Sequence, residues 1–204
     1  MTQYLRYIFI VCLGFATAAI GQNFGARALL GTNFSQVDGD QLGGYHKIGL
    51  NAGIQINREM NEDWEAAFEI RYTMKGSTKT IDPDEPATFT LDLKYHYIEV
   101  PILLTYTSLT KLEPYGGISW GVNVLNERDE NGIVTKEPEL KKTETALHLG
   151  CTYPLSSKIN ADLRHSYSLL SIRDYPAAAN SPRLLSRTGW FNRLFTLSLS
   201  YTLN

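Results

Sequence analysis

Apolar and polar side chains alternate with a period of two along most of this chain. In the last thirteen residues, Phe195, Leu197, Leu199, Tyr201 and Leu203 fall on one parity, and Thr196, Ser198, Ser200 and Thr202 on the other. Leu194 is the one apolar exception. A two-residue repeat is the signature of a strand with one apolar and one polar face. Seven more segments repeat it: Phe24–Phe34, Lys47–Asn57, Asp63–Lys75, Ile98–Tyr106, Leu112–Leu125, Glu144–Tyr153 and Ile159–Leu169. The cleanest sets Ile48, Leu50, Ala52, Ile54 and Ile56 against Lys47, Gly49, Asn51, Gly53, Gln55 and Asn57. No helical periodicity of useful length competes. A final strand normally leaves an open edge, and a closed barrel removes that edge by pairing the last strand with the first.

The connections alternate in length. Residues 35–45, 76–88, 126–142 and 171–190 are long and rich in Gly, Pro, Asp, Asn and Ser, while 58–62, 107–111 and 154–157 are short. Long loops at one end and short turns at the other is the pattern of outer-membrane barrels, with the long loops extracellular and both termini periplasmic. One phase break interrupts the alternation. Phe89, Leu91, Leu93, Tyr95 and Tyr97 are apolar on odd positions, but from Ile98 the apolar parity is even. Two explanations are open: a bulge near Tyr97, or a strand extension over 89–96 that stands above the membrane.

Alternation alone does not separate a membrane barrel from a soluble one. The polar parity holds Arg27, Glu65, Glu69, Arg71, Glu99, Glu113, Glu144, His148, Asp162 and Arg164 beside many glycines. That combination suits a narrow lumen, since glycine on a solvent face would weaken a strand for no gain. The apolar parity carries Trp64, Tyr106, Tyr153 and Tyr201 near the short turns, and Tyr72 and Tyr167 near the long loops. These read as two interfacial girdles. Trp64 to Tyr72 spans roughly 20 Å along the membrane normal, close to an apolar band of about 25 Å. The prediction is an all-β fold: an eight-stranded antiparallel up-and-down transmembrane β-barrel.

Residues 1–21 read as a signal peptide and 22–204 as the barrel domain. Arg6 is the basic region, Tyr7–Phe15 the apolar stretch, and Ala19 and Gly21 the small residues ahead of a cleavage before Gln22. Cleavage leaves one cysteine, Cys151, so no internal disulfide framework is expected. The formal charge moves from −2 to about −3, and nothing in it points to nucleic acid.

Candidate chemistry is thin. Eight strands enclose an interior just wide enough for side chains, so the lumen charges are expected to pair and fill it rather than line a diffusion pore. Glu144 and His148 share the inward parity but stand roughly 13 Å apart, too far for a direct hydrogen bond. His165, beside Ser166, is the one arrangement resembling the Ser and His of a lipid-modifying barrel, and an interfacial polar residue is the simpler reading. Glu127, Asp129, Asn131 and Gly132 approximate the start of a calcium loop, but its twelfth position is Pro138, and an acidic hairpin tip fits better. Asp38-Gly39-Asp40 reads as a turn. Arg173, Arg183 and Arg187 make the last loop basic, and Arg193 lies at the outer end of the last strand; they could meet lipopolysaccharide phosphates or be ordinary surface charge. Trp190-Phe191 is expected to mark where that loop re-enters the interface. No catalytic, cofactor-binding or metal residue is assigned, and no cofactor is expected.

Tyr97-Ile98-Glu99-Val100-Pro101-Ile102-Leu103-Leu104 resembles the Tyr-Ile-Glu-Ile/Val-Pro-Leu-Leu-Leu stretch of PorT-like outer-membrane β-barrel proteins of the Bacteroidota. Gly31-Thr32-Asn33-Phe34-Ser35, Glu69–Gly76 and Pro114-Tyr115-Gly116-Gly117 are similar to further pieces of that family, in the same order. The resemblance implies an eight-stranded barrel in the cell outer membrane and no single activity. A few members are linked to type IX secretion and gliding. The expected role is structural, adhesive or that of an assembly partner acting through the long loops. The rivals are a type IX secretion or gliding accessory and a lipid A-modifying enzyme. Expected partners are outer-membrane lipids, lipopolysaccharide and other envelope proteins.

Overall fold

The computed structural model describes residues 24–40, 42–79, 90–109, 111–137, 139–174 and 189–203. The signal segment, Phe89, Pro138, the loop residues Arg183 and Arg187 and the terminal Asn204 lie outside the described residues.

The strands are β1 (Phe24–Asp38), β2 (Lys47–Glu59), β3 (Trp64–Thr78), β4 (Leu91–Tyr106), β5 (Glu113–Glu130), β6 (Ile133–Thr135), β7 (Thr143–Pro154), β8 (Ile159–Ser168) and β9 (Phe191–Thr202). Every pairing is antiparallel between chain neighbours, except that β5 pairs with both β6 and β7, and β9 closes on β1. Phe34 stands opposite Phe195 in that closing ladder. Eight strands therefore form a closed up-and-down barrel, as the alternation predicts, and the short β6 hangs outside the ring. The sequence does not announce β6, because three residues are too few to show a period. Its turn is legible: Asn131 and Gly132 both have positive φ, 54° and 83°. That is the two-residue hairpin geometry Asn-Gly favours.

The outward parity is the apolar one. Leu30, Ile48, Ile54, Leu163 and Leu199 are half or more exposed on the barrel wall, while Glu69, Arg71 and Lys75 inside are almost wholly buried. This inversion suits a lipid surround and would be unstable in water. The predicted girdle at the short-turn end is built in part by Trp64 packed on Tyr106 across β3 and β4, with ring centroids 5.1 Å apart.

The phase break matches the second explanation, a strand extension rather than a slip of β4. β4 keeps one facing throughout: Leu91, Leu93, Tyr95, Tyr97, Glu99 and Leu103 all point inward and are buried. What changes at Tyr97 is the surroundings. Below it the outward residues are apolar, and above it Asp92, Lys94 and His96 face out while apolar residues fill the inside. Val37, Leu91, Leu93, Tyr95, Tyr97, Ile172 and Trp190 form one buried cluster there. The chain follows the membrane rule up to Tyr97 and the rule of a water-soluble barrel beyond it. A register shift does occur at His96/Tyr97, but its extra residue is Val124 on β5, not a residue of β4. Past Val124 the inward parity of β5 becomes even, so Asn126, Arg128 and Glu130 oppose the inward Tyr95, Leu93 and Leu91.

Candidate functional site

The lumen is filled by side chains in three levels. Nearest the short turns, Arg27 donates to Glu65 at 3.3 and 3.4 Å, and Asn57 donates to the same carboxylate at 2.6 Å. At mid-height, Arg164 of β8 makes a two-pronged contact with Glu69 of β3, at 2.9 and 3.0 Å. These strands are four steps apart either way round the ring, so this ion pair crosses the full diameter. Arg71 adds a contact to Glu69 at 3.2 Å and holds Asn51 through two nitrogens. Tyr115 receives Arg164 Nε at 2.8 Å and donates to Asp162 at 2.5 Å. Nearest the long loops, Lys75 sits between Glu99 and Glu144, 3.0 Å from the latter. Ser168 and Asn192 also donate to Glu144, at 2.5 and 3.2 Å.

Apart from Glu113 and His148, the predicted lumen charges thus come together in ion pairs, which is what a narrow, low-dielectric interior demands. Lys75 escapes the sequence reading although it lies on the polar parity two residues beyond Thr73. The lumen glycines serve space rather than backbone freedom. A Cβ on Gly150 would stand 2.4 Å from the Tyr115 hydroxyl, and one on Gly121 would crowd the Glu99 side chain at 3.1 Å.

The candidate catalytic arrangements do not assemble. His148 is held between Ser119 and Ser166, at 2.7 Å from each hydroxyl, and Glu144 belongs to the Lys75 group. Ser166 therefore points inward, while His165 on the opposite face packs against Phe195 with centroids 4.7 Å apart. Strand alternation separates the two, so they form no nucleophile and base. Among the described residues no group of three His, Cys, Asp or Glu side chains could hold a metal ion. The acidic segment is a hairpin tip, with Gly132 N–H donating to Asp129 at 3.0 Å.

At the long-loop rim the described arginines are engaged. Arg173 pairs with Glu137 and Glu139, both at 3.1 Å, and lies over the Trp190 ring at 4.4 Å. Arg193 pairs with Asp38 at 2.8 Å and lies over Tyr167. Trp190 and Phe191 divide between two environments. Trp190 is buried in the apolar cluster, and Phe191 stacks on Tyr167 outside. Within the cluster, burial pushes the Tyr95 phenol above its ordinary pKa, and among the described residues its hydroxyl has no hydrogen-bond partner.

A family model described as outer membrane protein beta-barrel domain matches residues 17–174. No curated protein matches the chain. Among solved structures, the attachment invasion locus protein Ail of Yersinia pestis aligns at 15% identity over 88% of this chain and 99% of its own, with a TM-score of 0.51. That structure is a complex with the heparin analogue sucrose octasulfate. Neisserial surface protein A aligns at 14% identity over 87% and 96% of the two chains, with a TM-score of 0.49. The N-terminal β-barrel domain of Pseudomonas aeruginosa OprF aligns at 12% identity over 89% and 98%, with a TM-score of 0.42. The likeness to Ail is one of fold.

Proposed function

This chain belongs to the outer membrane protein beta-barrel domain family and sits in the outer membrane, and from that premise we propose that it is a plugged, non-catalytic barrel working through its long-loop face. The observation that carries this is the Arg164–Glu69 pair spanning the lumen. A diameter bridged by one ion pair leaves no room for a general diffusion pore. The part of the molecule that offers a surface beyond the membrane is then the extension above Tyr97, with its acidic β5–β6 hairpin. Its role is structural, adhesive or that of an assembly partner, with lipopolysaccharide and envelope proteins as its neighbours.

The long loops face outward in this reading, and residues 1–21 are a signal removed before Gln22. A photo-crosslinking residue placed at Ile133 tests the outward face in intact cells. Adducts are expected at Ile133 and not at Leu155 in a short turn. No adduct at Ile133, or adducts confined to Leu155, would contradict the proposal.

A second reading has one observation in its favour. The Tyr97–Leu104 stretch supports PorT-like kinship within the Bacteroidota, and through it a type IX secretion or gliding accessory. Gene deletion followed by a secretion assay separates the two, since an accessory barrel's loss blocks secretion. For the enzyme reading, lipid A mass spectra with and without the protein would have to differ in acyl chains, and no difference is expected.

A further inference from the structure

The β2–β3 ladder stops early. It runs from Glu59 opposite Glu65 to Asn51 opposite Thr73. Its flanking ladders continue further, to Lys47 on β2 and to Thr78 on β3. Lys47–Leu50 and the facing part of β3 therefore lie side by side without a regular ladder. Side chains from β1 replace the missing bonds from inside. The Asn33 amide lies 3.4 Å from the Leu50 carbonyl and 3.0 Å from that of Met74. The Ser35 hydroxyl lies 3.3 Å from the Lys47 carbonyl and 3.1 Å from that of Gly76. On the outer side the Leu50 N–H donates to Met74 Sδ at 3.2 Å. The seam is thus held together while remaining open outward, which lipid-exposed backbone tolerates only when its polar groups are satisfied.

The opening is a cavity of about 150 Å³ with an amphipathic lining. Ile48 and Met74 supply apolar walls, and Lys47, Lys94 and His96 supply the polar rim. Lys47 and Lys94 share one carboxylate, Asp92, at 2.5 and 3.6 Å, so two ammonium groups are offset by one anion. His96 spends Nδ1 on the Tyr72 hydroxyl at 2.6 Å. Glu127, the neighbour of Lys94 across β4 and β5, is the acidic group beyond it. The site lies one strand step above Tyr72, the girdle residue at the long-loop end, and so at headgroup depth.

We propose that this seam binds the phosphate-bearing headgroup of an outer-leaflet lipid, with the apolar walls receiving the start of its acyl region. The assignment rests on the outer-membrane placement with long loops outward. It rests also on charge: the cavity lining holds Lys47, Lys75, Lys94 and His96 and no acidic side chain. Lys75 is already spent on Glu99 and Glu144, and Asp92 and Glu127 stand outside the lining. A headgroup phosphate in the cavity therefore meets Lys47 and Lys94 directly, and charge-assisted contacts of this type are the strong ones. An uncharged lipid of the same shape satisfies the walls but not the lysines.

Native mass spectrometry of the full chain in detergent tests this, with bis-phosphorylated lipid A and the same lipid stripped of phosphate as probes. Wild type is expected to retain one phosphorylated lipid. A Lys47→Gln/Lys94→Gln variant should retain it at least about tenfold less well, the loss of two charge-assisted contacts. A Lys158→Gln variant, changed at a short turn, should retain it like wild type. Equal retention of the stripped lipid, or equal retention by the double variant, overturns the proposal. Displacement by excess inorganic phosphate also overturns it, because the site would then take a small anion rather than a lipid. An unboiled gel of each variant checks that the barrel has folded. A variant that fails this check would be replaced by Lys94→Gln alone, judged by the same retention criterion. Loss of retention when the long loops are shown to face inward would count against the orientation, whereas retention by the double variant counts against the seam.

Discussion

At the scale of single residues, this barrel holds polar groups inside and apolar ones outside, so ordinary intuitions about burial reverse. Glu69 is fully buried yet contacts Arg164, Arg71 and Gln55. Replacing it with Ala leaves two guanidinium groups without their shared anion. The expected cost is about 3–5 kcal/mol, the usual penalty for breaking one partner of a buried pair. Urea unfolding of the protein in detergent or liposomes measures it, and a loss below about 1 kcal/mol would mean that water already reaches the pair. Tyr95 makes the opposite case. Its buried hydroxyl has no partner among the described residues, so Tyr95→Phe is expected to be neutral within about 0.5 kcal/mol or mildly stabilising by the same assay. The face of each such residue is legible from parity alone, as Arg27, Glu65 and Arg164 demonstrate. Their partners are not legible, because they lie on strands up to half a circumference away, and no local pattern records the pairing.

At the scale of elements, β4 carries most of the information. Its Tyr97-Ile98-Glu99-Val100-Pro101 stretch joins two regimes. Tyr97 closes the apolar cluster, Glu99 takes Lys75, and Ile98 faces lipid. Pro101 has no N–H to give, and the β3–β4 ladder is interrupted between Phe68–Ile102 and Arg71–Glu99, where Pro101 stands. The parity change at Tyr97 is plain in the sequence, but its cause is not. A slip of the strand and a change of solvent produce the same string of letters, and only the pairing distinguishes them. The short β6 and the early end of the β2–β3 ladder are likewise invisible, because each involves too few residues to disturb a periodicity. The outward parity of β2 yields a direct expectation. Ile56, opposite Phe68 near mid-membrane, should tolerate Arg poorly, with a cost of about 2–4 kcal/mol in unfolding from liposomes. A cost near zero would mean that this face meets water.

At the scale of the whole molecule, eight strands, a lumen filled by ion pairs and an apolar cluster above them amount to a closed cylinder in the outer membrane. Sequence alternation and loop rhythm anticipate the cylinder, its strand number and its lipid face. They also anticipate the filling of the lumen in kind, though not its three-level arrangement. The filled lumen is the claim on which the proposed role depends, since an open channel would make the loops accessory to transport. Ion conductance across a planar bilayer tests it most directly, using refolded protein whose unboiled gel mobility differs from the boiled form. The wild-type barrel is expected to insert without steady channel openings. A stable open channel in the wild-type protein would contradict the account.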